Sequence, residues 1–141
     1  MKKLALAAAL TLASPFAAHA YDLNAVVGMN LGQPQVLANP TMQTVIAKAM
    51  GYLTTAQREQ VKGFFPDGVG GPINNINNTY YFSSCEPHLC PVNEIVIAAT
   101  QDAYGSKDDR VWVLLTLNGR TTVYGKPWDS VLKVMETPGE Y

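Results

Sequence analysis

The segment RVWVLLTLNGRTTVYG, residues 110–125, constrains the fold more than any other part of the chain. Two runs rich in β-branched and aromatic residues flank the dipeptide Asn118-Gly119. This dipeptide tolerates the positive φ angles of a type I′ turn, which joins adjacent antiparallel strands. The segment therefore predicts a β-hairpin, and with it an antiparallel sheet.

A second hairpin is predicted earlier in the chain. The strand-like runs TYYFSS (79–84) and NEIVIAAT (93–100) flank the hexapeptide CEPHLC, residues 85–90. The hexapeptide then lies at the hairpin tip, which is an exposed position suited to recognition. Together the two hairpins predict four antiparallel strands.

Helical patterns precede and follow these strands. Apolar residues recur at helical spacing in TMQTVIAKAM (41–50), and Thr54 or Thr55 can cap a second short helix, TAQREQVKGFF. KPWDSVLKVM (126–135) predicts a terminal helix with one apolar face, formed by Trp128, Val131, Leu132 and Met135. Residues 21–40 predict an irregular arm, and residues 67–78 a loop. The order indicates an α+β domain, an antiparallel sheet with helices packed on one face and a protruding hairpin loop.

The first twenty residues have the pattern of a secretory signal peptide. A basic start at Lys2 and Lys3 leads into an apolar run, and Ala18-His19-Ala20 forms an A-x-A cleavage site. The apolar run, roughly ten residues, is too short to span a bilayer. We therefore expect a signal peptide at 1–20, a single domain at 21–141, a periplasmic location and no membrane insertion.

Charge narrows the range of partners. Loss of Lys2 and Lys3 with the leader changes the net charge from −1 to about −3. A negative chain is a poor ligand for nucleic acid or for an anionic membrane surface. The composition instead suits a basic protein partner.

The two cysteines, Cys85 and Cys90, are expected to form a disulfide in an oxidising compartment. A ring of about six residues contributes only ~2 kcal/mol in the loop-entropy model. The bridge therefore fixes the shape of the tip rather than the fold, and Pro87 adds to this by restricting one φ angle.

Several functions remain open for His88, the only histidine after removal of the leader. A metal site is disfavoured because the disulfide leaves no free thiolate, and the spacing is not that of a C-x-x-C redox motif. Catalysis would need a nucleophile beside the imidazole, and neither Ser83, Ser84 nor Glu86 belongs to a known nucleophile motif. His88 is then either a solvated turn residue or the apex of a rigid loop that enters another protein's cleft. We expect no catalytic residue, no metal and no cofactor.

A secreted chain of this size with a C-x-P-H-x-C loop between strands resembles the Ivy family, the periplasmic inhibitors of c-type lysozyme. The helical N-terminal half and the strands followed by a terminal helix add to the resemblance. It implies that the loop enters the active-site cleft of lysozyme and that its histidine contacts the two catalytic carboxylates. The inhibitory loop would then consist of Cys85, Glu86, Pro87, His88, Leu89 and Cys90.

The resemblance implies an inhibitor rather than an enzyme, with a c-type lysozyme or a related peptidoglycan-cleaving enzyme such as a lytic transglycosylase as partner. A homodimer is open, and so is a non-inhibitory protein of the same fold that binds cell-wall material or an envelope partner. The sequence departs from the family loop C-K-P-H-D-C at two positions, with Glu86 in place of Lys and Leu89 in place of Asp. Glu86 brings a negative charge toward a cleft that holds two carboxylates, so we expect Glu86→Lys to tighten binding.

Overall fold

A computed structural model describes residues 22–100 and 110–138. The predicted signal peptide, residues 1–20, lies outside the described residues. None of the helices in the described ranges has the length and apolar character needed to cross a lipid bilayer.

Five antiparallel strands form one sheet in the order β1-β2-β3-β4-β5. The strands are β1 Asn74–Ile76, β2 Thr79–Cys85, β3 Glu94–Thr100, β4 Val111–Leu117 and β5 Arg120–Tyr124. Both predicted hairpins are confirmed: β2 pairs with β3, and β4 pairs with β5. Asn118 and Gly119 adopt φ angles of 52° and 74°, as a type I′ turn requires.

Strand β1 corrects the expectation of a loop over 67–78. It pairs with the start of β2 across Asn77 and Asn78, which both have positive φ angles, 52° and 62°. Asparagine tolerates this left-handed conformation, so the pair makes a two-residue turn. The high asparagine content, taken as a loop signal, therefore marks a turn and a short edge strand.

The helices are α1 Pro34–Leu37, α2 Pro40–Gly51, α3 Thr55–Val61 and α4 Asp129–Met135. The Asn39 side chain caps α2 by accepting bonds from the N–H groups of Thr41 and Met42. Thr54 caps α3 in a capping box with Gln57. The two helices predicted after the arm, TMQTVIAKAM and TAQREQVKGFF, are thus confirmed.

The N-terminal arm is more ordered than predicted. It contains a 3-10 helix at Leu23–Val26 and the single-turn helix α1. The side chains of Leu23, Val26 and Val36 are buried in the main core. Elements of one turn are too short to show a hydrophobic period, which is why the arm looks irregular in sequence.

The α+β class is confirmed, but the helices lie on both faces of the sheet rather than on one. On one face, residues from the arm, α2 and α3 pack against alternate sheet residues that include Phe82, Ile97 and Val113. On the other face, Val131 and Met135 of α4 pack against Trp112 and Val96. The correction follows from the strand pattern, because both faces of β3 and β4 are buried.

Trp128 also departs from prediction. It is the N-cap of α4 rather than part of the buried helical face, and its side chain is 51% exposed. Its ring packs at 5.3 Å from that of Trp112, and the Arg110 guanidinium lies 4.9 Å from its ring centroid. The helix therefore begins one residue later than its apolar pattern indicates.

Candidate functional site

The hexapeptide Cys85–Cys90 extends from one end of the sheet, where β2 ends and β3 begins. Cys85 is the last residue of β2 and pairs with Glu94, the first residue of β3. The predicted disulfide is confirmed, with the two Cα atoms 5.4 Å apart. Cys85 is buried and Cys90 is exposed, so of the two cysteines only Cys85 packs into the body.

His88 lies at the apex of a tight turn. The Leu89 N–H donates to the Glu86 carbonyl at 3.0 Å, which makes Pro87 and His88 the central pair of a four-residue turn. Pro87 suits the first central position, and the φ of His88, 68°, suits the second position of a type II turn. Pro87, His88 and Leu89 are all exposed, so the turn presents the imidazole to solvent.

Asn93 braces this turn from the opposite strand. Its backbone N–H donates to the Leu89 carbonyl at 2.8 Å, and its carbonyl accepts from the Glu86 N–H at 3.0 Å. Its side-chain amide nitrogen donates to Glu86 Oε2 at 2.7 Å. The ring is therefore closed by three hydrogen bonds to one residue as well as by the disulfide.

The same residue ties the loop to the second hairpin. The Asn118 N–H donates to Asn93 Oδ1 at 2.8 Å, and the Gly119 N–H donates to the Val92 carbonyl at 3.0 Å. The type I′ turn thus lies against the base of the loop. Both hairpin tips form one rigid end of the molecule.

Glu86 does not extend toward the apex. Its side chain is half-buried, and its carboxylate accepts the Asn93 amide hydrogen bond. The outward surface of the tip instead carries Leu89 and Val92, whose side chains are 41% and 45% exposed. The six predicted loop residues are therefore brought together, with His88 and Leu89 at the apex and Glu86 at the base.

An open cavity of about 390 Å³ lies beside the base of the loop. Its walls come from the end of α3, from the loop and from the β4–β5 turn. The lining residues are Gln60, Gly63, Phe64, Asp67, Glu86, Pro87, Asn93, Leu117 and Asn118. The surface next to the loop is thus concave and can receive a side chain from a partner protein.

Glu94 is a half-buried acidic residue at this end of the sheet. Burial raises the pKa of its carboxyl above the ordinary value of 4.5. It follows Asn93 directly and pairs with Cys85. The charged form of Glu94 is therefore disfavoured in the folded protein.

The chemistry at the apex is that of a single imidazole. The His88 side chain has no hydrogen-bond partner in the part of the chain that the structure describes, and the Ser84 hydroxyl donates inward to the Phe64 carbonyl. No group of three or more His, Cys, Asp or Glu side chains that could hold a metal occurs within the described residues. The arrangement can present two N–H donors outward when the imidazole is protonated.

The sequence did not reveal Asn93, Val92 or the β4–β5 turn as parts of the site. Their contacts with the loop depend on how the two hairpins lie against each other. The one local signal is the position of Asn93, next to the predicted start of a strand and close to a disulfide ring. That signal does not distinguish a bracing residue from an ordinary strand end.

Comparison with known proteins gave one match. The family model for the inhibitor of vertebrate lysozyme (Ivy) matches residues 45–138, a span that includes the loop, the whole sheet and the terminal helix. Neither the curated proteins nor the solved structures gave a significant match. The match covers most of the chain. The chain therefore belongs to the inhibitor of vertebrate lysozyme family.

Proposed function

We propose that the protein is a periplasmic inhibitor of c-type lysozyme that blocks the active-site cleft with the Cys85–Cys90 loop. Family membership supports lysozyme as the target. The observation that carries the proposal is the position of His88, an exposed imidazole at the apex of a loop fixed on both sides. Such an apex can enter a cleft that a flat surface cannot reach.

The rigidity of the loop favours tight binding. Ordering a flexible side chain or loop on association costs about 0.5–1.5 kcal/mol for each mobile side chain. The disulfide, the restricted φ of Pro87 and the Asn93 hydrogen bonds hold the loop in one shape before binding. Most of that ordering cost is therefore met during folding rather than on association.

The chemistry of the apex matches that of the target. Lysozyme cleaves its substrate with a protonated glutamic acid and a nearby ionised aspartate. A protonated His88 offers two N–H donors, and hydrogen bonds between ionised groups are about twice as strong as neutral ones. An imidazolium between the two carboxyl groups would occupy the position of the scissile bond and exclude the sugar.

The overall charge also favours this partner. The chain after removal of residues 1–20 carries a net charge of about −3, and c-type lysozymes are mostly basic. Opposite net charges accelerate encounter, and the effect weakens as salt screens it. We expect the association rate to fall with ionic strength while the dissociation rate changes little.

The proposed periplasmic location requires export and removal of the leader. Cleavage after Ala20 would release residues 21–141 as a single domain into a compartment where the Cys85–Cys90 disulfide is stable. Intact-mass measurement of the protein recovered from the periplasm tests this. A retained leader or two free thiols in that material would contradict the proposed location.

An inhibitor explains the site better than an enzyme does. General-base catalysis needs an imidazole oriented by a second group and placed against a nucleophile. His88 has no such partner among the described residues, and the nearby Ser84 hydroxyl is buried against the Phe64 carbonyl. The imidazole is placed to meet groups of another molecule.

Inhibition of lysozyme tests the proposal directly. The purified chain from residue 21 is mixed with a c-type lysozyme, and lysis of a bacterial suspension is followed. His88→Asn removes the imidazole but keeps a residue type that tolerates positive φ, so the turn is retained. The matched control, Glu136→Asn, changes the exposed C-cap residue that follows α4.

We expect stoichiometric inhibition by the wild type and by the control, and weaker inhibition by His88→Asn. The loss should be about 2–5 kcal/mol in binding, because the two carboxyl groups of the target stay desolvated without a donor. Equal inhibition by all three proteins, with equal melting temperatures, would show that the apex does not enter the cleft.

A second candidate is a different target for the same loop. Leu89 and Val92 make the outward surface apolar, and the family's loop lysine is replaced by the inward-facing Glu86. This surface also suits a peptidoglycan-cleaving enzyme with one catalytic carboxylate, such as a lytic transglycosylase, or a non-inhibitory envelope partner. The same assay with a lytic transglycosylase distinguishes the two enzyme targets, since only the true target is inhibited by the wild type and less by His88→Asn. Inhibition of neither enzyme would favour the non-inhibitory partner.

A further inference from the structure

A second cavity, of about 490 Å³, lies away from the inhibitory loop. Its walls come from the end of α2, the start of β4 and the turn between β5 and α4. The lining residues are Lys48, Tyr52, Arg110, Val111, Trp112, Gly125 and Lys126. Its volume falls within the range of small-molecule sites in proteins.

This cavity and the inhibitory loop lie at opposite ends of β4. Val111, the first residue of the strand, lines the second cavity, whereas Leu117, the last, lines the cavity beside the loop. A strand of seven residues spans roughly 20 Å. A ligand bound at the second cavity would therefore leave the loop free.

The second cavity is cationic in a protein of negative net charge. Lys48, Arg110 and Lys126 come from three separate segments, and no acidic side chain is among the described residues that line the cavity. The single ion pair within residues 22–100 and 110–138 joins Glu59 of α3 to Lys62, which begins the 3-10 helix Lys62–Phe64 directly after α3. Among the described residues, the three cations therefore have no carboxylate partner.

The walls of the cavity are aromatic and held in place. The Tyr52 hydroxyl donates to the Val111 carbonyl at 3.0 Å, and the Tyr52 ring stacks on that of Tyr124 at 6.0 Å. Trp112 is buried and packs against Trp128. Tyr52 is nonetheless 42% exposed, so it presents ring surface to solvent at a fixed position.

The turn that brings Lys126 to the cavity has an unfavourable backbone conformation. Gly125 has a φ of 87°, and a Cβ there would lie 2.9 Å from the Tyr52 hydroxyl and 3.0 Å from the Trp112 ring. Lys126 itself has a φ of 53°, in the left-handed region that side-chain-bearing residues seldom adopt. Strained residues of this kind concentrate at binding sites, where the surrounding structure holds them.

We propose that the second cavity binds a carboxylated saccharide, with its carboxylates on Lys48, Arg110 and Lys126 and a sugar ring against Tyr52. Three cations from separate segments fit charges spread along a ligand. The volume exceeds what one inorganic anion fills, and the exposed ring of Tyr52 offers a flat apolar surface of the kind that packs on the C–H face of a pyranose. Such a ligand comes either from cell-wall muropeptides or from uronic-acid polysaccharides.

Intrinsic fluorescence gives a direct measure of binding. Trp112 lines this cavity, and Trp128, the other tryptophan of the chain, packs against Trp112 and Arg110, so tryptophan emission reports on occupancy of the cavity. The full chain from residue 21 is titrated with a disaccharide-tetrapeptide muropeptide, with an oligogalacturonate, with a neutral N-acetylglucosamine oligomer and with inorganic phosphate. We expect saturable binding of at least one of the two carboxylated ligands, and the stronger of them identifies the source.

Charge-removing variants test the assignment of the cations. Lys48→Gln and Lys126→Gln should each weaken binding roughly tenfold, as expected for the loss of a charge-assisted hydrogen bond. Lys133→Gln, which removes an exposed lysine of α4 outside the cavity, is the matched control and should bind as the wild type does. All three variants should inhibit lysozyme equally, because they leave the loop intact.

Three results would overturn the proposal. One is the absence of saturable binding of both carboxylated ligands at millimolar concentration. Another is equal affinity for the neutral oligomer or for phosphate, which would remove the need for a carboxylated sugar. The third is an affinity for the carboxylated ligand that is the same in Lys48→Gln and Lys126→Gln as in the wild type. Failure of lysozyme inhibition by the wild type bears only on the proposed function of the loop.

Discussion

Asn93→Ala tests whether the loop must be braced against the second hairpin in order to bind. The substitution removes two side-chain hydrogen bonds, one to the Glu86 carboxylate at 2.7 Å and one from the Asn118 N–H at 2.8 Å. The backbone bonds of Asn93 to Leu89 and Glu86 remain, as does the disulfide. The ring is therefore kept, and what is lost is its fixed position on the body.

The expected loss of stability follows from these two bonds. A neutral hydrogen bond contributes about 1 kcal/mol net, and one to a charged group about 1.5–3 kcal/mol. Asn93 is half-buried, so water can reach part of the freed groups, and the total loss should be about 2 kcal/mol. Re-ordering the loop on binding should cost a further ~1.4 kcal/mol, which is a tenfold loss of lysozyme affinity.

Two measurements separate these effects. Urea unfolding gives the change in stability, and competition for lysozyme gives the change in affinity. Asn75→Ala is the matched control, because Asn75 is an exposed asparagine of β1 that makes one longer side-chain bond, to Asn24 at 3.3 Å. The control should change stability by less than about 0.5 kcal/mol and leave affinity unchanged.

One outcome would contradict a role for Asn93 in positioning the loop for binding. If Asn93→Ala lowers stability by the expected amount but binds lysozyme as tightly as the wild type, the position of the ring on the body does not matter for binding. The disulfide and Pro87 would then be sufficient to preorganise the apex.

Three other substitutions test the structure around the loop. Replacing Cys85 and Cys90 with serine should lower stability by only ~2 kcal/mol but lower lysozyme affinity more than Asn93→Ala does; unfolding of the double variant in buffer would show that the bridge supports the whole fold. Glu94→Gln should raise the urea midpoint at pH 7 and not at pH 4, because burial raises the pKa of Glu94 above 4.5 and the folded protein loses stability as pH rises through that higher value. An equal effect at both pH values would mean that the gain does not come from the charge. Glu86→Lys should weaken lysozyme inhibition rather than strengthen it, as inhibition curves would show.

The elements that the sequence predicted correctly have local signals. The β4–β5 hairpin depends on Asn118-Gly119, and the start of α3 on the capping box of Thr54 with Gln57. The disulfide follows from there being only two cysteines in a chain whose first twenty residues predict export. Each of these signals involves residues within a few positions of one another, so no knowledge of the tertiary fold is needed.

The errors in the fold arise where an element is defined by its partners. Strand β1 forms because β2 lies beside it, and the single-turn helices of the arm are stabilised by the core they cover. The sequence also contained a signal that α4 covers the second face of the sheet. IVIAA in β3 and VWVLL in β4 are unbroken apolar runs, which is typical of strands covered on both faces.

The candidate site likewise has one part that local sequence predicts and one part that depends on the tertiary fold. The ring, the turn at Pro87 and the exposed imidazole of His88 follow from six consecutive residues. The contact of Asn93 with Asn118 spans 25 positions and exists only because two hairpins lie side by side. Spacing along the chain therefore predicts the shape of the apex but not what holds it in place.

The direction of the side chain of Glu86 reverses the effect expected for Glu86→Lys. From sequence alone the lysine should attract the carboxylates of the target, a gain of about 0.2–1 kcal/mol for an exposed pair. In the structure, however, Glu86 accepts the Asn93 amide hydrogen bond, and a lysine has donors only. Loss of that charge-assisted bond, about 1.5–3 kcal/mol, exceeds the gain and releases the base of the loop.

Combining Glu86→Lys with Asn93→Asp should restore inhibition. The new carboxylate can accept from the new ammonium and keeps an oxygen for the Asn118 N–H, so the bracing contact returns with its polarity reversed. Inhibition curves for the wild type, both single variants and the double variant form a mutant cycle that measures the coupling between positions 86 and 93. Additive effects, or tighter inhibition by Glu86→Lys alone, would mean that charge at the rim matters more than the brace. A coupling of 1 kcal/mol or more in the restoring direction would establish that the acid at position 86 serves to hold the loop rather than to touch the target.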